Sequence, residues 1–364
     1  MRQRKAAVQY TCCVAGIQEE TLMNLNMDYV LQTLEEIMSI DSPSGYTAAV
    51  MEKVEQKAGE LGYAFDMTHK GNGIITVPGK DQEYVVGFCA HVDTLGMMVR
   101  SIKSNGALAF TRVGGPNLAT VDSEWCRVHT RDGRVYDGTF FCTKPASHVY
   151  KEASAERTEE NMEVRLDEMV SNKEDVLNLG IQVGDYICID PKFTVTKSGY
   201  IKSRFLDDKL SVAILLGVLE YFASNNLVPS HTIKILISTY EEVGHGMAWI
   251  PQDIQELIAV DMGCIGDDLT CTEEMVSICA KDSSGPYDYS ITSRLAELAK
   301  ENGLDYAIDL YPYYGSDVSA ALRGGQDIQG GLIGPGVFAS HGYERSHIKA
   351  VENTMKLLIA YWQD

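Results

Sequence analysis

The sequence predicts a mixed α/β protein: a mostly parallel sheet sandwiched by helices, interrupted by a small β-rich, barrel-like insertion. Three observations predict it. Strand-like apolar runs alternate with amphipathic helical stretches toward both ends of the chain, the pattern of a sheet covered on both faces. Between about Ser101 and Thr196 the texture changes to short β-like pieces separated by turn signals, among them Asn105-Gly106, Gly114-Gly115-Pro116, Arg131-Asp132-Gly133 and Gly184-Asp185. The length, 364 residues, is enough for two domains. The expected division is an extension over residues 1–26, one domain built from residues 27–100 and 197–364, and the insertion 101–196.

Taken in order, Met27 to Ser39 places Tyr29, Val30, Leu34, Ile37 and Met38 on one helical stripe, and the turn Asp41-Ser42-Pro43-Ser44-Gly45 ends it. A second helix is expected over Tyr46 to Leu61, stopped by Gly62, and strands at Gly73 to Val77 and Tyr84 to Cys89. Within the insertion, the charge-dense stretch Lys151 to Asp175 reads as a solvated loop or surface helix. Beyond it, Lys209 to Phe222 reads as a buried helix, His231 to Tyr240 as a β-branched strand and Leu257 to Asp261 as another. A helix at Tyr289 to Asn302, a strand at Ala307 to Leu310, and helices at Asp317 to Arg323 and Val351 to Trp362 complete the chain.

Composition excludes several classes. Lys plus Arg number 31 against 51 Asp plus Glu, a formal net charge of −20, which repels phosphate backbones and anionic lipid. Neither nucleic acid nor a membrane surface is therefore an expected partner. No apolar run approaches the ~20 residues of a spanning helix. Nine cysteines occur without any CxxC pair, and scattered cysteines in a chain of this size suit buried positions in a reducing, cytoplasmic compartment.

In an open α/β sheet, function gathers where strands end. The run Val85 to Ala90 ends in His91-Val92-Asp93, whose first and third residues share a face, as when a carboxylate accepts the spare ring N–H of a metal-bound histidine. Asp207-Asp208 precede a helix, where capping accounts for one acid more readily than for two. Glu241-Glu242 close a strand, and adjacent carboxylates repel unless a cation holds them. Asp261 ends another strand, and His341 and His347 both lie before the last helix. Histidine plus carboxylate without thiolate suits zinc, cobalt or manganese. Five such ligands are too many for one zinc and fit two metals with one bridging carboxylate. His69, His129, His148 and His231 have no ligand-type neighbours at useful spacing, and His245 lies near the acidic pair. The cluster Tyr311-Pro312-Tyr313-Tyr314 before Gly315-Ser316-Asp317 suggests that Ser316 and Asp317 border a substrate pocket.

These motifs, in this order and with an insertion between the second and third, resemble the tetrahedral (TET-type) dizinc aminopeptidases, the glutamyl aminopeptidase and "cellulase M" group. The similarity runs from about Met27 to the C-terminus and includes Ser42-Pro43-Ser44-Gly45, His91-Val92-Asp93, Leu206-Asp207-Asp208-Lys209, Glu241-Glu242-Val243-Gly244 and Gly315-Ser316-Asp317. The resemblance implies two divalent metal ions per subunit, zinc or cobalt. One would be held by His91, Asp207 and Asp261, the other by Asp207, Glu242 and His341. Glu241 would be the general base, Asp93 the residue orienting His91, and Asp207-Asp208 a cis peptide. It further implies hydrolysis of small peptides from the N-terminus, and a homo-oligomer, from a dimer joined through the insertion to a hollow tetrahedral dodecamer. A carboxypeptidase or amide deacylase on the same metal core, and a non-catalytic scaffold, are the alternatives. The chain departs from the group where His245-Gly246-Met247 replaces Gly-x-Arg-Gly, and where His341-Gly342-Tyr343-Glu344 is one residue shorter than His-Ser-Pro-x-Glu. The acid three residues after it favours His341 over His347 as the last ligand.

Overall fold

The computed structural model describes residues 23–364. Of the expected extension, residues 1–22 lie outside the described residues. Met23 and Leu25 pack against the core, and the Asn26 side chain caps the first helix by accepting the Tyr29 N–H at 3.1 Å.

Four parallel strands form the centre of a ten-stranded sheet: His231–Ser238, Asp81–His91, Glu256–Val260 and Gln329–Val337, side by side in that order. Antiparallel strands flank them, Gly73–Val77 on one side and Val276–Asp282 on the other. Alternation along the central strands explains the two apolar layers. Val86, Phe88 and Ala90 belong to one core cluster, with the helices Met27–Met38, Leu206–Ser224 and Ile348–Gln363; Val85 and Cys89 belong to another, with helix Asp317–Arg323. The helix Leu206–Ser224 is buried on nearly every side, which is why its sequence shows an apolar run rather than a stripe. No helix among the described residues is long and apolar enough to cross a membrane.

The insertion carries a closed six-stranded barrel with strands from Gly96 to Ile189, filled by residues such as Val99, Phe110, Val128, Phe140 and Ile187. Phe110 meets Phe140 edge to face at 5.4 Å. One expectation here is overturned. Lys151 to Asp175 is not a loop or surface helix throughout, because Met162–Leu166 is a barrel strand whose Met162, Val164 and Leu166 face inward. Its inward apolar positions are hidden among flanking charges in the sequence. Strand Gln329–Val337 runs through Gly334-Pro335-Gly336. The chain stays extended, and the glycines allow close approach: a Cβ on Gly334 would lie 1.6 Å from the Asp261 carbonyl oxygen.

Barrel and sheet are joined by an ion network. Arg127 forks onto Asp41 with two 2.7 Å bonds, and His129 Nε2 lies 2.7 Å from the same carboxylate. His129, which has no partner at useful spacing in the sequence, thus finds one 88 residues away. Burial alone would raise the Asp41 carboxyl, yet the Arg127 and His129 bonds hold it down at about 2. A depressed carboxylate contributes stability that is present above its ordinary value and lost as pH falls toward the folded one. Asp41→Asn is therefore expected to lower the stability near pH 6 by about 2 kcal/mol, from a shift of about two units. The difference in Tm from wild type should close between pH 4 and pH 2.

Candidate active site

The carboxyl ends of the four parallel strands deliver His91, the Glu241–Val243 turn, Asp261 and the His341 loop to one edge of the sheet. Asp207, at the start of the buried helix, reaches the same edge, and the Asp207–Asp208 peptide is cis. The result is two triads that share one carboxylate: His91, Asp207 and Asp261, and Asp207, Glu242 and His341. In each, one donor atom per residue lies within 4.8 Å of the others.

The two histidines decide the electrostatics. The His91 Nδ1–H donates to the Asp93 backbone carbonyl at 2.8 Å, so the Nε2 lone pair faces Asp207 Oδ1 at 3.2 Å. The His341 Nδ1–H donates to the Gly115 carbonyl at 3.0 Å, so its Nε2 faces Glu242 Oε2 at 3.5 Å and Asp207 Oδ2 at 3.7 Å. A neutral imidazole lone pair aimed at a carboxylate is repulsive, and a cation between them removes the conflict. Against the effect of burial, the surrounding acids raise His91 well above its ordinary value, so a proton fills that place where a metal ion does not. Glu242 Oε1 is buried without a hydrogen-bond partner, a second sign that these groups suit a divalent ion. Burial and then the Asp207 charge push the Asp261 carboxyl up to about 7. Burial likewise drives Glu241 and Glu242 well above the usual range. Burial would raise Asp207 too, but the positive charge that His91 takes up in the absence of a metal, together with His341 and the Ser340 hydroxyl, holds it below its own.

Surrounding groups hold the donors. The Asp93 carboxylate is not turned to the His91 ring N–H, from which its nearer oxygen is 3.5 Å away. It accepts instead from Ser44 Oγ at 2.5 Å and from the amides of Glu241 and Glu242 at 3.1 and 3.3 Å. With its carboxylate committed to the acidic turn, Asp93 orients the ring through its carbonyl. Glu344 accepts the backbone N–H groups of both Asp207 and His341, each at 3.1 Å, and Asp208 accepts the His91 N–H at 3.1 Å. Sequence reasoning gave Asp208 no such task; its only signal was that two acids exceed what a helix cap needs. It also missed the barrel's share, the Gly115 carbonyl and the Asn117 N–H that donates to the His341 carbonyl at 3.0 Å.

A cavity of about 550 Å³ opens over the triads, walled by Tyr311 to Ser316, Met262, Cys264 and Arg323. Glu241 borders it without belonging to either triad. Ser316 borders it too, though its hydroxyl is committed to Tyr287 at 2.7 Å and to capping the helix behind it. Asp317 does not. It is buried behind the wall, accepts the Met247 N–H at 2.9 Å, and leaves no room for a Cβ on Gly246. His245 stacks on Tyr240 at 5.0 Å, outside the cavity wall.

The sequence profile described as M42 glutamyl aminopeptidase matches residues 71–357. The chain belongs to the M42 glutamyl aminopeptidase family. As a member it is a metal-dependent aminopeptidase, a hydrolase of peptide bonds. YhfE of Bacillus subtilis, named as a candidate aminopeptidase, is 45% identical over 335 residues, spanning 92% of this chain and 97% of that one. The TET aminopeptidase of a marine-sediment Thaumarchaeota archaeon shares the fold at a TM-score of 0.84 and 18% identity, over 93% of this chain and 97% of the other. The TET1 peptidase of Pyrococcus horikoshii does so at 0.81 and 22%, over 92% and 99%.

Within the M42 architecture, His347 has other work. Its Nε2–H donates to the Ser198 carbonyl at 2.8 Å, and its Nδ1 accepts the Lys349 N–H at 3.1 Å, capping the final helix. Both ring nitrogens are spent. His341→Ala is expected to lose one metal equivalent and most activity. His347→Ala should keep both and lose about 1 kcal/mol of stability, the cost of a lost cap. Metal content by plasma emission and thermal unfolding separate the two.

Proposed function

We propose that this protein removes N-terminal residues from small peptides, with two divalent cations, zinc or cobalt, held by the two triads and Glu241 acting as general base. The observation that carries the reading is the pair of imidazole lone pairs, His91 and His341, aimed at a shared carboxylate whose other neighbours are also acids. When bound, such cations supply an acidified water and an electrophile for the scissile carbonyl oxygen.

The chain's own groups account for the rest. Glu241 Oε2 takes the water's proton and returns it to the leaving amine nitrogen. Burial favours its protonated form, which suits a group that must accept a proton near neutral pH. Asp93, through the two amide bonds, fixes the turn so that Glu242 faces His341 while Glu241 faces His91. Adjacent acids thereby take separate tasks. The cavity volume suits a few residues of an extended peptide.

Assaying the purified protein against aminoacyl chromogenic amides and their N-acetylated counterparts tests this, with zinc or cobalt and after chelation. Only the free-amine series should be cleaved, activity should vanish on chelation, and either ion should restore it. Cleavage of blocked amides, release of C-terminal residues, or activity that survives chelation would overturn the proposal.

The same reading extends to assembly and place. The Pyrococcus horikoshii TET1 peptidase assembles into a tetrahedron or a large octahedral shell. For this chain we infer dimers joined through the barrel region, residues 101–196, built into a tetrahedral dodecamer. Trp125, 68% exposed on a barrel strand, supports that contact. Sedimentation velocity should show a large homo-oligomer that Trp125→Glu breaks into smaller species; a stable wild-type monomer would reject it. A cytoplasmic setting fits the seven free cysteines among the described residues.

A further inference from the structure

His341 sits in a loop that needs outside help to keep its shape. Ala339 and His341 both take left-handed backbone, at φ 61° and 63°, which residues other than glycine adopt only where the surroundings enforce it. Two of the enforcing bonds are described above: Glu344 accepts the His341 N–H, and the barrel's Asn117 N–H donates to the His341 carbonyl. The next carbonyl along, that of Gly342, accepts from Arg204 Nη1 at 3.2 Å.

Arg204 is only 3% exposed. It follows strand Tyr200–Ser203, which pairs antiparallel with Glu344–His347 so that Ser203 lies opposite Glu344, and it stands three residues before Asp207. The same guanidinium reaches the barrel, where Nη2 donates to the Thr120 carbonyl and Nη1 to Thr120 Oγ1 at 3.3 Å. Thr120 ends the segment that carries Gly115 and Asn117, and its own N–H donates to the Asn117 carbonyl at 2.9 Å. It also packs on Gly342, where a Cβ would lie 3.4 Å from the Thr120 methyl group. One buried cation therefore joins the approach to Asp207, the His341 loop and the barrel segment that holds the His341 ring. Its nearest carboxylate, Glu124 Oε1, is 3.6 Å away. A buried charge is a poor way to gain stability, whereas a planar fork is a good way to fix two carbonyls relative to each other.

We propose that Arg204 is a positioning residue for the second metal ion, locking the His341 loop to the barrel so that His341 Nε2 stays aimed at Glu242 and Asp207. The inference rests on the reading of the site given above. The His91 triad has its own supports. The His91 ring and backbone N–H are held by Asp93 and Asp208, Asp207 is held by Glu344, and Asp261 directly follows strand Glu256–Val260. Loss of Arg204 thus affects one ion and spares the other.

Zinc titration of the full chain in competition with a chromophoric chelator tests this. Wild type should bind two zinc ions. Arg204→Met keeps much of the side chain and loses the fork; it should bind one ion as wild type does and the other about 10–100-fold more weakly, the usual effect of removing a group that orients a ligand. The zinc concentration that half-restores activity after chelation should rise in step. In a His341→Ala background, where only the His91 triad remains, Arg204→Met should change zinc affinity by less than about twofold. Wild-type affinity for both ions would overturn the proposal. So would weakening of the remaining ion in the His341→Ala background, which would make Arg204 a general strut. Should Arg204→Met fail to fold, Arg204→Lys, which keeps the charge without the fork, is read by the same two comparisons. A wild type that binds fewer than two zinc ions would bring down the functional reading, and this inference with it.

Discussion

Asp207→Asn is expected to lose both metal ions, because Asp207 is the one residue that belongs to both triads. The amide keeps the size of the side chain and its backbone N–H bond to Glu344, so folding should persist. What disappears is the charge that balances two cations from one position. Metal-ion catalysis is worth several kcal/mol, so turnover should fall by about 10³-fold or more. Plasma emission on the purified variant, with the rate measured alongside, checks the outcome. Retention of one full metal equivalent would show that the triads are filled independently and that Asp207 does not bridge.

Glu241→Gln should behave in the opposite way toward metal. Glu241 lies in neither triad, and its nearest recorded imidazole contact, to His91 Nε2, is 3.8 Å. The variant should bind metal like wild type and lose about 10²–10⁴ in kcat, the usual contribution of a general base. Its backbone bond to Asp93 is untouched, so the neighbouring Glu242 stays in place. Near-wild-type turnover would remove Glu241 from the role of base. Together the two variants separate holding the cations from moving the proton.

Much of this was legible in the sequence because the relevant physics is local. A strand that ends in a ligand-type residue shows both facts within about ten positions, as Val85 to His91, His231 to Glu242 and Leu257 to Asp261 do. The helical stripe from Met27 and the capped helix at Asp317–Arg323 were equally local. What escaped is non-local or rests on backbone. Strand Gln329–Val337, central to the sheet, carries four glycines and a proline, a composition that reads as turn chemistry. Gly334 and Gly336 make room for the Asp261 and Thr272 carbonyls, and Gly330 and Gly331 for the Val318 and Ile291 side chains, which only the fold reveals. The acceptor for the His341 ring lies 226 residues away on the barrel, and it is a carbonyl, which leaves no trace in residue identity. Asp93 was found, but its carboxylate serves the Glu241–Glu242 amides, an assignment no spacing could supply.

The central claim is that two cations sit side by side, bridged by Asp207, with Glu241 left free. Anomalous diffraction from crystals of the zinc-loaded protein tests it most directly. The account predicts two strong zinc peaks per subunit, one among His91, Asp207 and Asp261 and one among Asp207, Glu242 and His341, with no zinc bound to Glu241. A single peak, or a second peak held by Glu241 or His347, would contradict it.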